Sequence, residues 1–329
     1  MNSFYILGGR QRRNVLVPQE EWTLYDKALI LRLEPDTGET RVCVEYQTPP
    51  GARPDGIFTI FFKAAFLEGN RLFACTSTEV LIYEVPAFRQ VGYVSLPCFN
   101  DLHHVRPTPE GNLLVANTGL DMVVEFTPEG RITREWSVLG DEPWQRFSKA
   151  TDYRLVESTK PHKSHPNYVF LLDGEIWVTR CFQADAICLT RPGRRIAIDI
   201  EKPHDGLVRG DSIYFTTVDG NVVLVDRLSL KPREIIDLKT IDNDGRELPG
   251  WCRGLMVADQ ARVWVGFTRI RATKFKENVR WVKHFFHQTE GPTHVALYDL
   301  VAKRRLKEID LEQHAMNVVF DMLPAVPDH

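Results

Sequence analysis

Three observations predict an all-β fold, a six-bladed β-propeller formed as a single domain over residues 1–329. A unit of four short strands recurs five times at a period near 40 residues. Unmatched strand segments stand at the two ends of the chain, and helical periodicity is sparse. At about 150 residues per domain the length would suggest two domains, but repetitive all-β folds run longer as one unit.

The clearest unit runs from Asp101 to Thr118 and on through Met122–Ile132. It reads as strand, Pro/Gly turn, strand, short link, strand, Glu-Gly turn and strand. The same order starts again at His165 (HPNYVFLLDGEIWVTR), at Pro203 (PHDGLVRGDSIYFTT) and at Trp251 (WCRGLMVADQARVWVGF), and an earlier copy begins near Phe62. Ala28–Leu33 and Thr40–Tyr46 look like outer strands of a blade that lacks its inner strand, and Asn317–Leu323 is a lone strand. Pairing these ends closes the ring and removes exposed sheet edges. Two insertions interrupt the repeat. One spans about 139–164 and carries Trp144, Phe147 and Tyr153, which suits a loop over one end of the channel. The other spans about 272–290, where Phe275, Val279, Val282 and Phe286 form an apolar stripe flanked by basic residues. That predicts an amphipathic helix over 273–288, suited to a lid or a homo-oligomer contact.

Composition bounds the function. A formal charge of −3, with 26% charged and 43% hydrophobic residues, can bury a large core and excludes collagen-like or wholly disordered chains. Charge this balanced gives no reason to expect nucleic acid as a partner. No apolar run approaches the roughly 18 residues of a membrane span. Met1–Arg10 lacks a basic stretch followed by a long apolar region, so a cytoplasmic location is expected. Six scattered cysteines without a CxxC pair then read as reduced, mostly buried thiols.

The segments DLHHVRPTPEGNLLVANT and PHDGLVRGDSIYFTT resemble blades of the NHL-repeat, SMP-30/strictosidine-synthase-like and virginiamycin-B-lyase propellers. The resemblance covers most of the chain at the level of the blade, and it implies the propeller. For the SMP-30 lactonases it also implies a calcium site with an early Glu, but the matching segment Phe66–Asn70 puts Glu68 in a hairpin turn. His204 in PHDG is similar to a lyase motif whose second His-and-Glu segment has no counterpart here.

Inner strands of a propeller line its channel, so residues at their leading ends converge. Aligning the blades places His103 (or His104), Asn167, His204 and Cys252 at one level, with His165 two residues before Asn167 and His314 ahead of the closing strand. His103 and His104 point to opposite faces of a strand, so one of them faces the channel. His103, His104, His165, His204 and His314 are the candidate ligands for a divalent transition metal such as iron, zinc or copper, with calcium less favoured. Each histidine alone is more often a backbone cap than a ligand, and it is their repetition at one register that points to a site. Arg180 and Arg253, with Asn167 and Cys252, are candidate substrate contacts. Arg106, Arg269 and Arg271 lie near corresponding strand ends, and guanidinium forks there hold carboxylate or phosphate in two-point contact or form interblade salt bridges. Asp205 either supports His204 in catalysis or caps a turn with Gly206. No GxSxG, P-loop, HExxH or strand-linked GxGxxG is present. The leading expectation is therefore an enzyme with a His-centred, metal-assisted site, using His103, His204 and Asp205 on a small anionic molecule. A non-catalytic binding scaffold is the second, and a calcium-dependent lactonase the third.

Overall fold

In the computed structural model residues 2–12, 24–200, 202–241, 250–269 and 291–327 are described. They form six four-stranded antiparallel sheets. The first blade consists of Phe66–Glu68, Arg71–Cys75, Val80–Glu84 and Arg89–Val94, and the second of Leu102–Pro107, Leu113–Asn117, Met122–Phe126 and Ile132–Ser137. Pro166–Leu172, Glu175–Arg180, Asp185–Cys188 and Arg195–Ala197 make the third; Pro203–Arg209, Ser212–Thr217, Asn221–Asp226 and Pro232–Asp237 make the fourth. The fifth is Trp251–Val257, Arg262–Thr268, His294–Asp299 and Arg304–Asp310.

The sixth blade closes the ring from both ends of the chain. Its inner strand is the C-terminal Val318–Pro324, followed outward by Phe4–Gln11, Tyr25–Leu33 and Thr40–Tyr46. The sequence assigns two strands to the N-terminal side, and the structure adds Phe4–Gln11 as a third. Gly8 and Gly9 dilute its apolar pattern, yet close packing requires them: an added Cβ at Gly8 would lie 1.8 Å from the Val318 carbonyl oxygen, and one at Gly9 2.6 Å from Phe61 Cβ.

Successive blades bury an apolar cluster at each of the six interfaces. Phe99 and Phe126 pack between blades one and two, Val123 and Val178 between two and three, and Trp177 and Phe215 between three and four. Val222 and Phe267 do so between four and five, Phe4 and Trp264 between five and the closing blade, and Tyr5 and Tyr83 between the closing blade and blade one. Alternation along the inner three strands supplies these faces, whereas outermost strands such as Arg89–Val94 are largely exposed.

The 139–164 insertion carries a 3-10 turn, Tyr153–Leu155. Trp144, Phe147 and Tyr153 pack against the core between blades one and two. The helix expected over 273–288, with Arg271, lies outside the described residues. All six cysteines are free thiols; five are buried and Cys43 is half-buried. Among the described residues no helix is long and apolar enough to cross a membrane.

Candidate active site

A local backbone device recurs where the chain enters an inner strand. Asp101, His165 and Lys202, each one residue before its inner strand, adopt left-handed φ values of 51°, 60° and 57°. Non-glycine residues rarely adopt this conformation, and such strain clusters at functional positions. The strands then shift register at matching points, at His103, Asn167, Asp205–Gly206 and Arg253–Gly254. A bulge re-aims side chains, here at the end of the channel.

A cavity of about 610 Å³ opens at that end. Each blade contributes a side chain from its inner strand or from the few residues leading into it. In ring order these are Lys63, His103, His165, His204, Arg253 and, from the closing blade, Phe320. Asp101 and Lys202 join them, and the 139–164 insertion supplies a wall through Glu157–His162. The apolar lining is largely aromatic: Phe58, Phe61, Phe182, Trp251 and Phe320.

Four of these groups gather on the arc of blades two and three. The His103 and His165 rings meet edge to face with centroids 4.7 Å apart, and His103 Nε2 lies 3.5 Å from Asp101 Oδ1. His162 Nδ1 is 2.9 Å from His165 Nδ1. Donor atoms of Asp101, His162 and His165 all lie within 4.8 Å of one another, so these three could hold a metal ion. Their protonation suits that role. Burial, then Lys63, pushes His103 down to about 4, while burial pushes His165 and His204 well below the usual imidazole value and His162 below it. Burial alone would raise Asp101, but the Lys63 ammonium on its Oδ1, and then His103, hold it well below the carboxylate range. The cluster therefore presents neutral imidazole lone pairs beside an ionised carboxylate, the states that bind a divalent ion. Two nitrogens and one carboxylate match transition ions better than oxygen-seeking calcium.

Asp121 holds the segment that carries two of these donors. Its carboxylate, 1% exposed, accepts the backbone N–H groups of Lys163 (2.8 Å), Ser164 (2.9 Å) and His165 (2.8 Å), and also Arg146 Nη2 (2.6 Å). Three consecutive amides and a guanidinium on one buried carboxylate fix the backbone of the loop and with it the placement of His165.

The remaining sequence candidates stand outside the cavity lining. His104 points to the opposite side of its strand, stacks on Tyr168 with centroids 3.7 Å apart, and accepts the Val169 N–H through Nδ1 at 3.2 Å. Asn167 Nδ2 donates to the Pro203 carbonyl at 2.9 Å, and Asp205 accepts the Thr216 hydroxyl and the Gly254 N–H. His104, Asn167 and Asp205 thus each bridge their blade to the next. Cys252 is fully buried among apolar neighbours between blades four and five. Arg180 forms a two-point pair with Asp185 (2.8 and 2.7 Å), Arg269 does so with Glu312 (2.8 and 2.6 Å), and Arg106 covers the Phe66 ring at 4.4 Å. His314 belongs to the 3-10 turn Glu312–His314. Sequence reasoning did not single out Lys63, Asp121, His162 or Lys202; the His162-x-x-His165 spacing was a readable signal for one of them.

No protein-family model matches the chain, and no curated protein matches it. Among solved structures, it is similar to a protein of unknown function from Bacteroides caccae, with a TM-score of 0.61 and 12% identity over 99% of this chain and 100% of that one. It is also similar to a catalytically inactive virginiamycin B lyase from Staphylococcus aureus solved with quinupristin, with a TM-score of 0.51 and 12% identity over 95% and 90% of the two chains. At such identities the likeness shows the propeller fold and leaves the chemistry to the site.

Proposed function

We propose that the channel mouth is the active site of a metal-assisted enzyme acting on a small anionic molecule. The observation that carries this reading is the convergence of Asp101, His162 and His165 within 4.8 Å at a cavity to which every blade contributes. In it, Asp101, His162 and His165 hold a divalent transition ion, with zinc or iron best suited to two imidazoles and a carboxylate. When bound, such an ion supplies Lewis-acid polarisation of a carbonyl or phosphoryl oxygen. His103 and His204, neutral at physiological pH, act as proton acceptors beside the reacting group. Arg253 and Lys202, across the ring, hold the substrate's negative charge. Reading the mouth this way moves the ligand role from His103 and His204 to Asp101 and His162, and leaves Asp205 as a support between blades.

The test is metal analysis of protein purified without an affinity tag. Stoichiometric zinc, iron or copper that is lost in both His162→Ala and His165→Ala supports the enzyme. A well-folded protein that neither carries nor takes up any of these ions overturns it. One contact favours a second reading, a binding propeller without metal: Lys63 already satisfies one Asp101 oxygen. The same analysis separates the two.

A further inference from the structure

One turn of the second blade, Thr118–Leu120 with its cap Asp121, holds both imidazoles of the cluster. Asp121 takes His165 by its backbone N–H, and the Gly119 carbonyl reaches His162 by way of a hydroxyl. Thr159, in the wall of the mouth, donates through Oγ1 to the Gly119 oxygen at 2.5 Å, and the same Oγ1 lies 3.2 Å from Asn100 Oδ1. His162 Nε2 is 3.4 Å from that hydroxyl.

The hydrogens available fix the tautomer of the His162 ring. A threonine hydroxyl has a single hydrogen to donate and two lone pairs to accept with. Gly119 O is a carbonyl and only accepts. The Asn100 amide has one orientation, because its Nδ2 donates to the Tyr153 and Val156 carbonyls at 2.8 and 3.0 Å, so Oδ1 is an acceptor as well. Whichever of these oxygens takes the hydroxyl hydrogen, none remains for His162. In the neutral ring Nε2 must therefore carry the hydrogen and donate it to Oγ1, which leaves the Nδ1 lone pair facing His165 Nδ1 at 2.9 Å.

The anchors of Thr159 are themselves rigidly placed. Asn100 is 5% exposed and its backbone N–H donates to Asn117 Oδ1 at 3.0 Å. An added Cβ at Gly119 would lie 2.2 Å from Asn100 Oδ1, so only glycine lets the turn approach the amide this closely. Blade two, rather than the insertion itself, thus sets where the hydroxyl stands.

Resting on the reading of Asp101, His162 and His165 as metal ligands, we infer that Thr159 is the positioning residue of His162. Its hydroxyl selects the Nε2–H tautomer and leaves Nδ1, the nitrogen on the His165 side, as the ligand atom. A partner on the second ring nitrogen is what fixes the tautomer and orientation of a ligating histidine. In the metal-free protein the same lone pair accepts the Nδ1–H of His165, so the two rings hold opposite tautomers.

The tautomers are read without metal. Full-length protein carrying 15N-labelled histidine and freed of metal by a chelator is followed by two-bond 1H–15N correlation. The two rings are assigned by their loss in His162→Gln and His165→Gln. His162 is expected to be protonated at Nε2 alone and His165 at Nδ1 alone. Thr159→Val keeps the shape and removes the hydroxyl; it should turn His162 into a mixture of tautomers and weaken zinc about 10- to 100-fold in competition with a chromophoric chelator. Thr159→Ser returns the hydroxyl and should restore both. A wild-type His162 protonated at Nδ1 overturns the inference and needs no variant to fold. So does a Thr159→Val protein with the wild-type tautomer or the wild-type zinc affinity, or a serine variant that behaves like the valine one. Uptake of zinc alongside any of these leaves the metal reading standing. A protein that takes up no zinc sinks the metal reading, and the tautomer and its response to Thr159 then decide this residue's hold on His162.

Discussion

The Asp121 carboxylate accepts the backbone N–H of His165 at 2.8 Å, joining the second blade to the residue that opens the third. Asp121 does not itself line the cavity, yet it decides where His165 stands. Replacing it with Asn keeps the shape but turns one acceptor into a donor aimed at N–H groups. Asp121→Asn should weaken zinc binding about 10- to 100-fold, as outer partners of metal ligands do. Competition titration against a chromophoric chelator, with circular dichroism as a check on folding, measures it; unchanged affinity would show that the loop holds its place without Asp121.

His104 and His165 offer a contrast between two buried histidines. His165→Ala should abolish metal uptake. His104→Ala should leave uptake intact but destabilise the fold by about 1–3 kcal/mol, because the Val169 N–H loses its acceptor. Urea denaturation and metal analysis on the same two proteins check both halves.

Lys63, 1% exposed, neutralises Asp101 from the neighbouring blade. Lys63→Met should lower stability in chelator by about 2 kcal/mol, less than the loss for a fully buried pair because the Asp101 side chain is 28% exposed. Zinc should restore much of that loss by supplying the missing positive charge. Thermal melts with chelator and with zinc read the difference, and a melting temperature indifferent to zinc would contradict it.

Asp205 makes stability depend on pH in a stated direction. Burial raises its pKa from 3.8 to about 6, against the opposing hydrogen bonds from Thr216 and Gly254 and the Arg253 charge. The folded state therefore holds this proton more tightly than the unfolded chain does. Its contribution is full below pH 4 and is lost as pH rises through 6, by about 3 kcal/mol at most. The lowered histidines act oppositely, losing stability as pH falls below 6.5, so the informative quantity is the difference between wild type and Asp205→Asn. The variant should gain on wild type from pH 4 to 6 and stay ahead at pH 7; a constant difference across that range would refute the assignment.

Much of the fold was legible because a propeller repeats its hydrogen-bonding plan, and each repeat announces itself by turn residues and alternating apolar positions. Phe4–Gln11 escaped because its two glycines answer to Val318 and Phe61, neighbours that only the closed ring supplies. At the site, His103, His165 and His204 were visible because they sit at repeated strand starts. Lys63, Asp121 and His162 lie in links and in an insertion, where no period marks a residue and only three-dimensional proximity gives it a partner. The same alignment grouped His104, Asn167 and Cys252 with them, since sequence register cannot tell a side chain aimed into the channel from one turned toward the next blade.

The strand that carries Phe320 follows the other blade strands in the sequence and is the innermost of its sheet. A nascent chain still lacking Val318–Pro324 has five sixths of the rim and an open seam between its fifth blade and its N-terminal strands. Docking of that one segment seals the toroid and completes the recess together, so a ligand that stabilises the finished recess also clasps Val318–Pro324 onto Phe4–Gln11.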